Sequence, residues 1–138
     1  MHPTPSALRQ RLPQIDLASW QPLFDFLDWS RVTAYSETAP AMPHRHADHP
    51  FQRLKEVMDR VGLWVECNWR NWPLGERIYR NQGRELAAIP PVQVCAFLSG
   101  LCANHHAGGC ALDRAFANGT VLRAAEALAV FARETHGL

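Results

Sequence analysis

The stretch that most constrains this chain opens at Pro90-Pro91 and carries Val92, Val94, Cys95, Phe97, Leu98, Leu101 and Cys102. Wound as a helix, it is apolar almost all the way round, and such a helix is stable only when neighbours cover it on every side. The prolines suit its start, because the first helical N–H groups have no intrahelical partner to lose. The rest of the 138 residues therefore has to supply the cover. The expectation is an all-α fold: a bundle of about five helices with the Pro90 to Asn104 helix at its centre.

The covering elements announce themselves by period. From Asp16 to Leu27, residues Leu17, Trp20, Leu23, Phe24 and Leu27 recur at spacings of three and four, one stripe of an amphipathic helix with Pro22 in its first turn. Pro50 to Val61 places Phe51, Leu54, Met58 and Val61 inward. It pairs Lys55 with Asp59 and Glu56 with Arg60 at i,i+4, and Gly62 follows as its stop. Leu63 to Trp72 alternates around Trp64, Val65 and Cys67 and reads as a connector to a short helix from Pro73 to Asn81. Cys110 to Ala117 forms another short helix closed by Asn118-Gly119, and Thr120 caps a last helix over Val121 to Arg133, packed on the central one. Residues 29–49, with Pro40 and Pro43, lose the period and read as a long irregular loop. Residues 1–15, proline-rich at their start, read as a loose leader to one helical domain spanning 1–138.

Composition narrows the function classes. With 47% hydrophobic and 20% charged residues the chain has the balance of a globular protein. A net charge of +1 gives no overall attraction for nucleic acid or anionic membrane. No run approaches the roughly 20 apolar residues a membrane helix needs, and the first residues lack a basic segment followed by an apolar one, so a cytoplasmic location is expected. In a reducing compartment Cys67, Cys95, Cys102 and Cys110 are buried thiols, metal ligands or reactive groups sooner than disulfides.

Two runs carry a family resemblance. One is Leu54-Lys55-Glu56-Val57-Met58-Asp59-Arg60-Val61-Gly62-Leu63 leading into Asn68-Trp69-Arg70-Asn71-Trp72; the other is Gly109 through Asn118-Gly119-Thr120-Val121-Leu122. Across roughly residues 54–131 the chain resembles a family of small bacterial proteins known as domain of unknown function 6508. The resemblance implies an all-helical fold and no assigned activity. Where the family pattern carries an arginine, an acidic residue, a second arginine and a phenylalanine before the late glycine, this chain has Cys102, Asn104, His105 and His106.

Three constellations have chemical potential. Cys102, His105, His106 and Cys110 are the ligand types zinc prefers, whereas Cys95 is about 10 Å from Cys102 along a helix rising 1.5 Å per residue, too far to share the ion. The preferred reading of the same residues is core filler with helix-ending histidines, and a remote third is a thiol nucleophile with its base. The run His44, Arg45, His46, Ala47, Asp48, His49 offers three imidazoles that suit an open metal site or a solvated loop. Trp69, Arg70, Trp72, Arg77, Arg80 and Arg84 interleave aromatic faces with guanidinium groups, which suits a protein partner or stacked nucleotide bases; Glu76 and Glu85 are at hand to pair with the arginines. No phosphate-cradling loop, serine nucleophile motif or helix-borne carboxylate pair is present. The leading expectation is a non-catalytic module that binds an unidentified protein partner or a second copy through the Trp69 to Arg84 face and the His44 to His49 loop. The alternatives are a zinc-binding protein or small metal-dependent enzyme, and a protein that contacts nucleic acid through the arginines.

Overall fold

A computed structural model describes residues 2–33, 50–68 and 71–138. Among these residues there are seven α-helices and no strand. They are α1 (Pro5–Arg11), α2 (Gln21–Thr33), α3 (Pro50–Val57), α4 (Pro73–Arg80), α5 (Pro91–His106), α6 (Ala111–Ala117) and α7 (Thr120–Thr135). The all-α expectation holds, and among the seven only α1 falls outside the segments that the sequence marks as helical.

α5 lies at the centre for the reason its sequence gives. Val92, Val94, Cys95, Phe97, Leu98, Leu101 and Cys102 are all buried, with Ser99 and Gly100 completing the cover. α1, α6 and α7 pack directly on it, and α2 joins the body through α7 and α3. α7 turns Val121, Ala124, Ala125, Leu128, Ala129 and Ala132 inward, a stripe of mostly small side chains that lets two helices approach closely.

The added helix α1 lies inside the segment expected to be a loose leader. Thr4 Oγ1 accepts from Ala7 N at 3.3 Å and Pro5 takes the first turn, both ordinary helix-start devices. Leu8 and Leu12, four apart, then share the face turned to the core, and Ile15 joins them after a 3-10 turn over Leu12–Gln14. Asp16 caps the next turn by accepting from Ser19 N at 2.9 Å, and its carboxyl is held below the usual range by the Ser19 side chain first and by that backbone N–H second.

α2 also departs from expectation: it starts at Gln21, preceded by a 3-10 turn over Ala18–Trp20, and continues to Thr33 instead of fading at residue 29. Turn and helix together send Trp20, Leu23, Phe26, Leu27 and Ser30 inward, while Phe24 is only partly covered. Beyond Leu27 the periodicity survives through Ser30, a polar residue on the buried side that hydrophobic pattern alone does not flag.

α3 ends in a π-helical turn, Met58–Gly62, that widens the backbone before Gly62 at φ 85° stops it. The anticipated pairs are present, Lys55 Nζ to Asp59 at 4.0 Å and Arg60 to Glu56 at 3.6 Å. Leu63 and Val65 are buried in a connector that pairs with no strand; instead Val65 N donates to Ser99 Oγ at 3.2 Å. At the start of α7 Thr120 is the first helical residue and not the cap, since Gly119 (φ 85°) occupies that position and the Asn118 carboxamide accepts from Thr120 N at 3.0 Å. No single described helix is long and apolar enough to cross a membrane.

Candidate functional site

α4 is sharply two-sided. Gly75 and Ile78 are buried, Leu74 and Tyr79 are half-covered, and Glu76, Arg77 and Arg80 face solvent. Trp72, the residue before its first turn, lays its six-membered ring against the Cα of Gly75, where any Cβ would collide with it. This tryptophan is thus half a core residue, packed against the hydrophobic cluster with part of its surface left outside.

Each of the first two arginines meets one of the expected acids. Arg80 Nη2 is 2.6 Å from Glu76 Oε1, and Arg77 Nε donates to Glu85 Oε2 at 3.1 Å across the turn that follows the helix. Both side chains stay well exposed, at 62% for Arg77 and 77% for Arg80, so the pairs orient the guanidinium groups without removing them from water. Arg84 is exposed in the same turn. That turn is held from behind by Arg123 of α7, whose Nη1 donates to Gln82 O at 2.6 Å. Pro73, Glu76, Arg77, Arg80 and Asn81 line a shallow groove of about 320 Å³ beside these side chains. Trp69 and Arg70, the first two residues assigned to this face, lie outside the described residues, as do His44, His46 and His49.

The cysteine and histidine group is distributed differently. Cys102 is buried at 3% exposure and its thiol is pushed up to about 12, by burial first and by the nearby Asp59 carboxylate second. Cys95 is fully buried and also pushed up to about 12, again by burial first. A thiolate, the form that binds zinc or attacks an electrophile, is strongly disfavoured at both. His105 is half-buried with its ring 4.2 Å from that of Phe51, His106 is exposed, and Cys110 is exposed just before α6.

The reversal between α5 and α6 separates them. Gly108 takes φ 92°, Gly109 N donates to Asn104 O at 2.8 Å, and the Asn104 carboxamide accepts from Ala111 N at 3.2 Å while filling the space beside Gly109. Cys102 faces inward before this turn and Cys110 faces solvent after it. Among the described residues no three His, Cys, Asp or Glu side chains converge where one ion could sit.

Sequence reasoning passed over a second surface groove. Pro22, Asp25 and Phe26 of α2 face Arg53, Glu56 and Val57 of α3, with Arg60 just beyond, around a cleft of about 220 Å³. Arg53 lies over the Trp29 ring at 4.5 Å from its centroid. Trp29 had been assigned to the loop, so nothing in the sequence suggested this stack.

A family model described as a family of unknown function (DUF6508) matches residues 17–134. The chain belongs to this family. The match runs from α2 through almost all of α7, wider at both ends than the two runs that first suggested it, and family membership assigns no activity. No curated protein and no solved structure matches the chain.

Proposed function

We propose that this DUF6508 protein is a non-catalytic interaction module that contacts a protein partner through Trp72, Arg77, Arg80 and Arg84, with Trp69 and Arg70 assigned to the same face by sequence alone. One observation carries the reading: an anchored helix turns exposed arginines outward beside a half-exposed tryptophan and a shallow groove. Arginine and tryptophan are enriched among the residues that dominate protein interfaces, because each brings a large contact area together with directional hydrogen bonding. The rigid backing of α4, with Ile78 fully buried and the following turn tied to Arg123, lowers the ordering cost of such a contact.

The zinc alternative draws no support from Cys102, whose thiol is buried and held protonated. The nucleic-acid alternative needs arginines free to neutralise phosphates, whereas Arg77 and Arg80 each face a glutamate.

The test places a photo-crosslinking residue at Arg84, and separately at the exposed Glu126 of α7, in the full chain. A discrete adduct from position 84 that weakens on Arg77→Ala/Arg80→Ala, with none from position 126, is the expected result. An adduct of twice the chain mass identifies a second copy as the partner. Adducts only from position 126 overturn the proposal.

A further inference from the structure

We infer that the partner of the face proposed above is an acidic segment of another protein, and this rests on that reading of the face. Its carboxylates sit on Arg77, Arg80 and Arg84, with an apolar side chain against Pro73 and the outer part of Trp72. Charge points to it first. From Pro73 to Glu85, with Arg123 behind the turn, four arginines stand against two glutamates. The whole chain has 14 basic and 13 acidic residues, so this end carries +2 and the remainder, with 10 basic and 11 acidic residues, carries −1. Charge of one sign gathered at one end steers a partner that bears the opposite sign.

The arginines have donors to spare. Arg84 is exposed and forms no ion pair among the described residues. Arg77 gives Nε to Glu85 and Arg80 holds Glu76 through Nη2. A guanidinium has five N–H donors, so most of each group stays open to a second carboxylate. Pairs this exposed are also weak, and an arriving carboxylate joins them without a large penalty. The groove along Pro73, Glu76, Arg77, Arg80 and Asn81 is shallow, which suits a chain segment laid across it, since small molecules are held in sites that enclose them.

A second copy of this chain does not supply such a segment. No two acidic residues adjoin anywhere in its sequence, and Asp28, Glu56 and Asp59 already face Arg31, Arg60 and Lys55. A nucleic-acid backbone fits less well, because Glu76 and Glu85 stand among the arginines and repel closely spaced phosphates. Carboxylates set apart along a peptide pass between those two glutamates.

The test titrates the full chain, at low salt, into two fluorescein-labelled peptides that share one pattern of leucine and tryptophan. One peptide carries glutamate at the remaining positions and the other glutamine; a labelled single-stranded oligonucleotide is the third probe. The glutamate peptide is expected to bind roughly tenfold or more tighter than the glutamine peptide. Arg77→Ala/Arg80→Ala/Arg84→Ala should erase that difference, whereas Arg9→Ala/Arg31→Ala/Arg133→Ala, which removes the same charge elsewhere, should leave it. Arg84→Ala alone breaks no pair in the fold and should weaken the glutamate peptide about threefold, so the outcome does not depend on the triple variant folding. Equal binding of the two peptides, no binding of either, equal loss in both triple variants, or tighter binding of the oligonucleotide overturns the inference. The photo-crosslink at position 84 separates this from the reading beneath it. An adduct that the glutamate peptide does not suppress, or one of twice the chain mass, leaves the face standing and removes the acidic partner; no adduct at all removes the face.

Discussion

α5 and α4 both begin at a proline, and both carry the side chains that drew attention in the sequence, yet they put them to opposite use. α5 buries Cys95 and Cys102 among leucines and a phenylalanine, and loses their chemistry by doing so. α4 buries one side only and leaves its arginines in water, oriented by glutamates. The difference teaches that a residue's chemical type is a weak guide until its face is known. Cysteine on a helix apolar all round is packing material, and arginine on a helix apolar on one side is available surface.

The largest way to break this contrast is to excavate the centre of α5. Phe97 is fully buried there, and Phe97→Ala is expected to cost about 3–5 kcal/mol in denaturant unfolding through lost burial plus a cavity. A loss below about 1 kcal/mol would mean that α5 is not the central packed rod.

The thiols sharpen the contrast through pH. Burial pushes both thiols from the ordinary 9.0 up to about 12, so in the folded chain they stay protonated where the unfolded chain releases its protons. Their contribution is complete below pH 9 and is lost as pH rises from 9 toward 12, by at most about 1.4 kcal/mol per pH unit for each thiol. Between pH 8 and pH 10 the wild type should lose about 3 kcal/mol more than Cys95→Ala/Cys102→Ala. Parallel pH profiles would show that the thiols are not sealed.

At the edge of α4, Gly75→Ala tests how firmly Trp72 is seated. Alanine improves helix propensity by about 1 kcal/mol, but its Cβ has to displace the indole ring, and overpacking typically costs about 1–3 kcal/mol. A net loss of about 1 kcal/mol in thermal unfolding is expected, with a change in tryptophan fluorescence; a gain in stability would show that the ring moves freely. The smallest effect belongs to the exposed pairs. Arg80→Ala should change stability by no more than about 0.5–1 kcal/mol, and a larger loss would make the arginine face structural.

How far the sequence was legible follows from the same physics. α3, α5 and α7 carry their period openly in Leu54, Met58 and Val61, in the unbroken apolar run after Pro91, and in Val121, Ala125, Leu128 and Ala129. The C-terminal half of α2 was hidden by Ser30, a buried polar residue on the core face. α1 was hidden by composition: Pro3, Thr4 and Pro5 read as a loose lead, although Thr4 and Pro5 are the cap and first turn of a helix whose Leu8 and Leu12 are buried. Among the candidate sites, the pairing of Arg77 and Arg80 with Glu85 and Glu76 was readable from charge and spacing. Which sides of the α5 turn Cys102 and Cys110 would face was not, because that depends on the Asn104 and Gly109 reversal. The Arg53 and Trp29 stack joins residues 24 positions apart on two helices, beyond the reach of any local pattern.

The most direct measurement of the central claim is a timed alkylation of the native chain at pH 8, with each cysteine read separately by mass spectrometry. Exposed Cys110 is expected to react first and half-covered Cys67 more slowly, with Cys102 protected by several orders of magnitude. Cys102 reacting as fast as Cys110, or both being shielded together by added zinc, would contradict the reading of α5 as a sealed packing element.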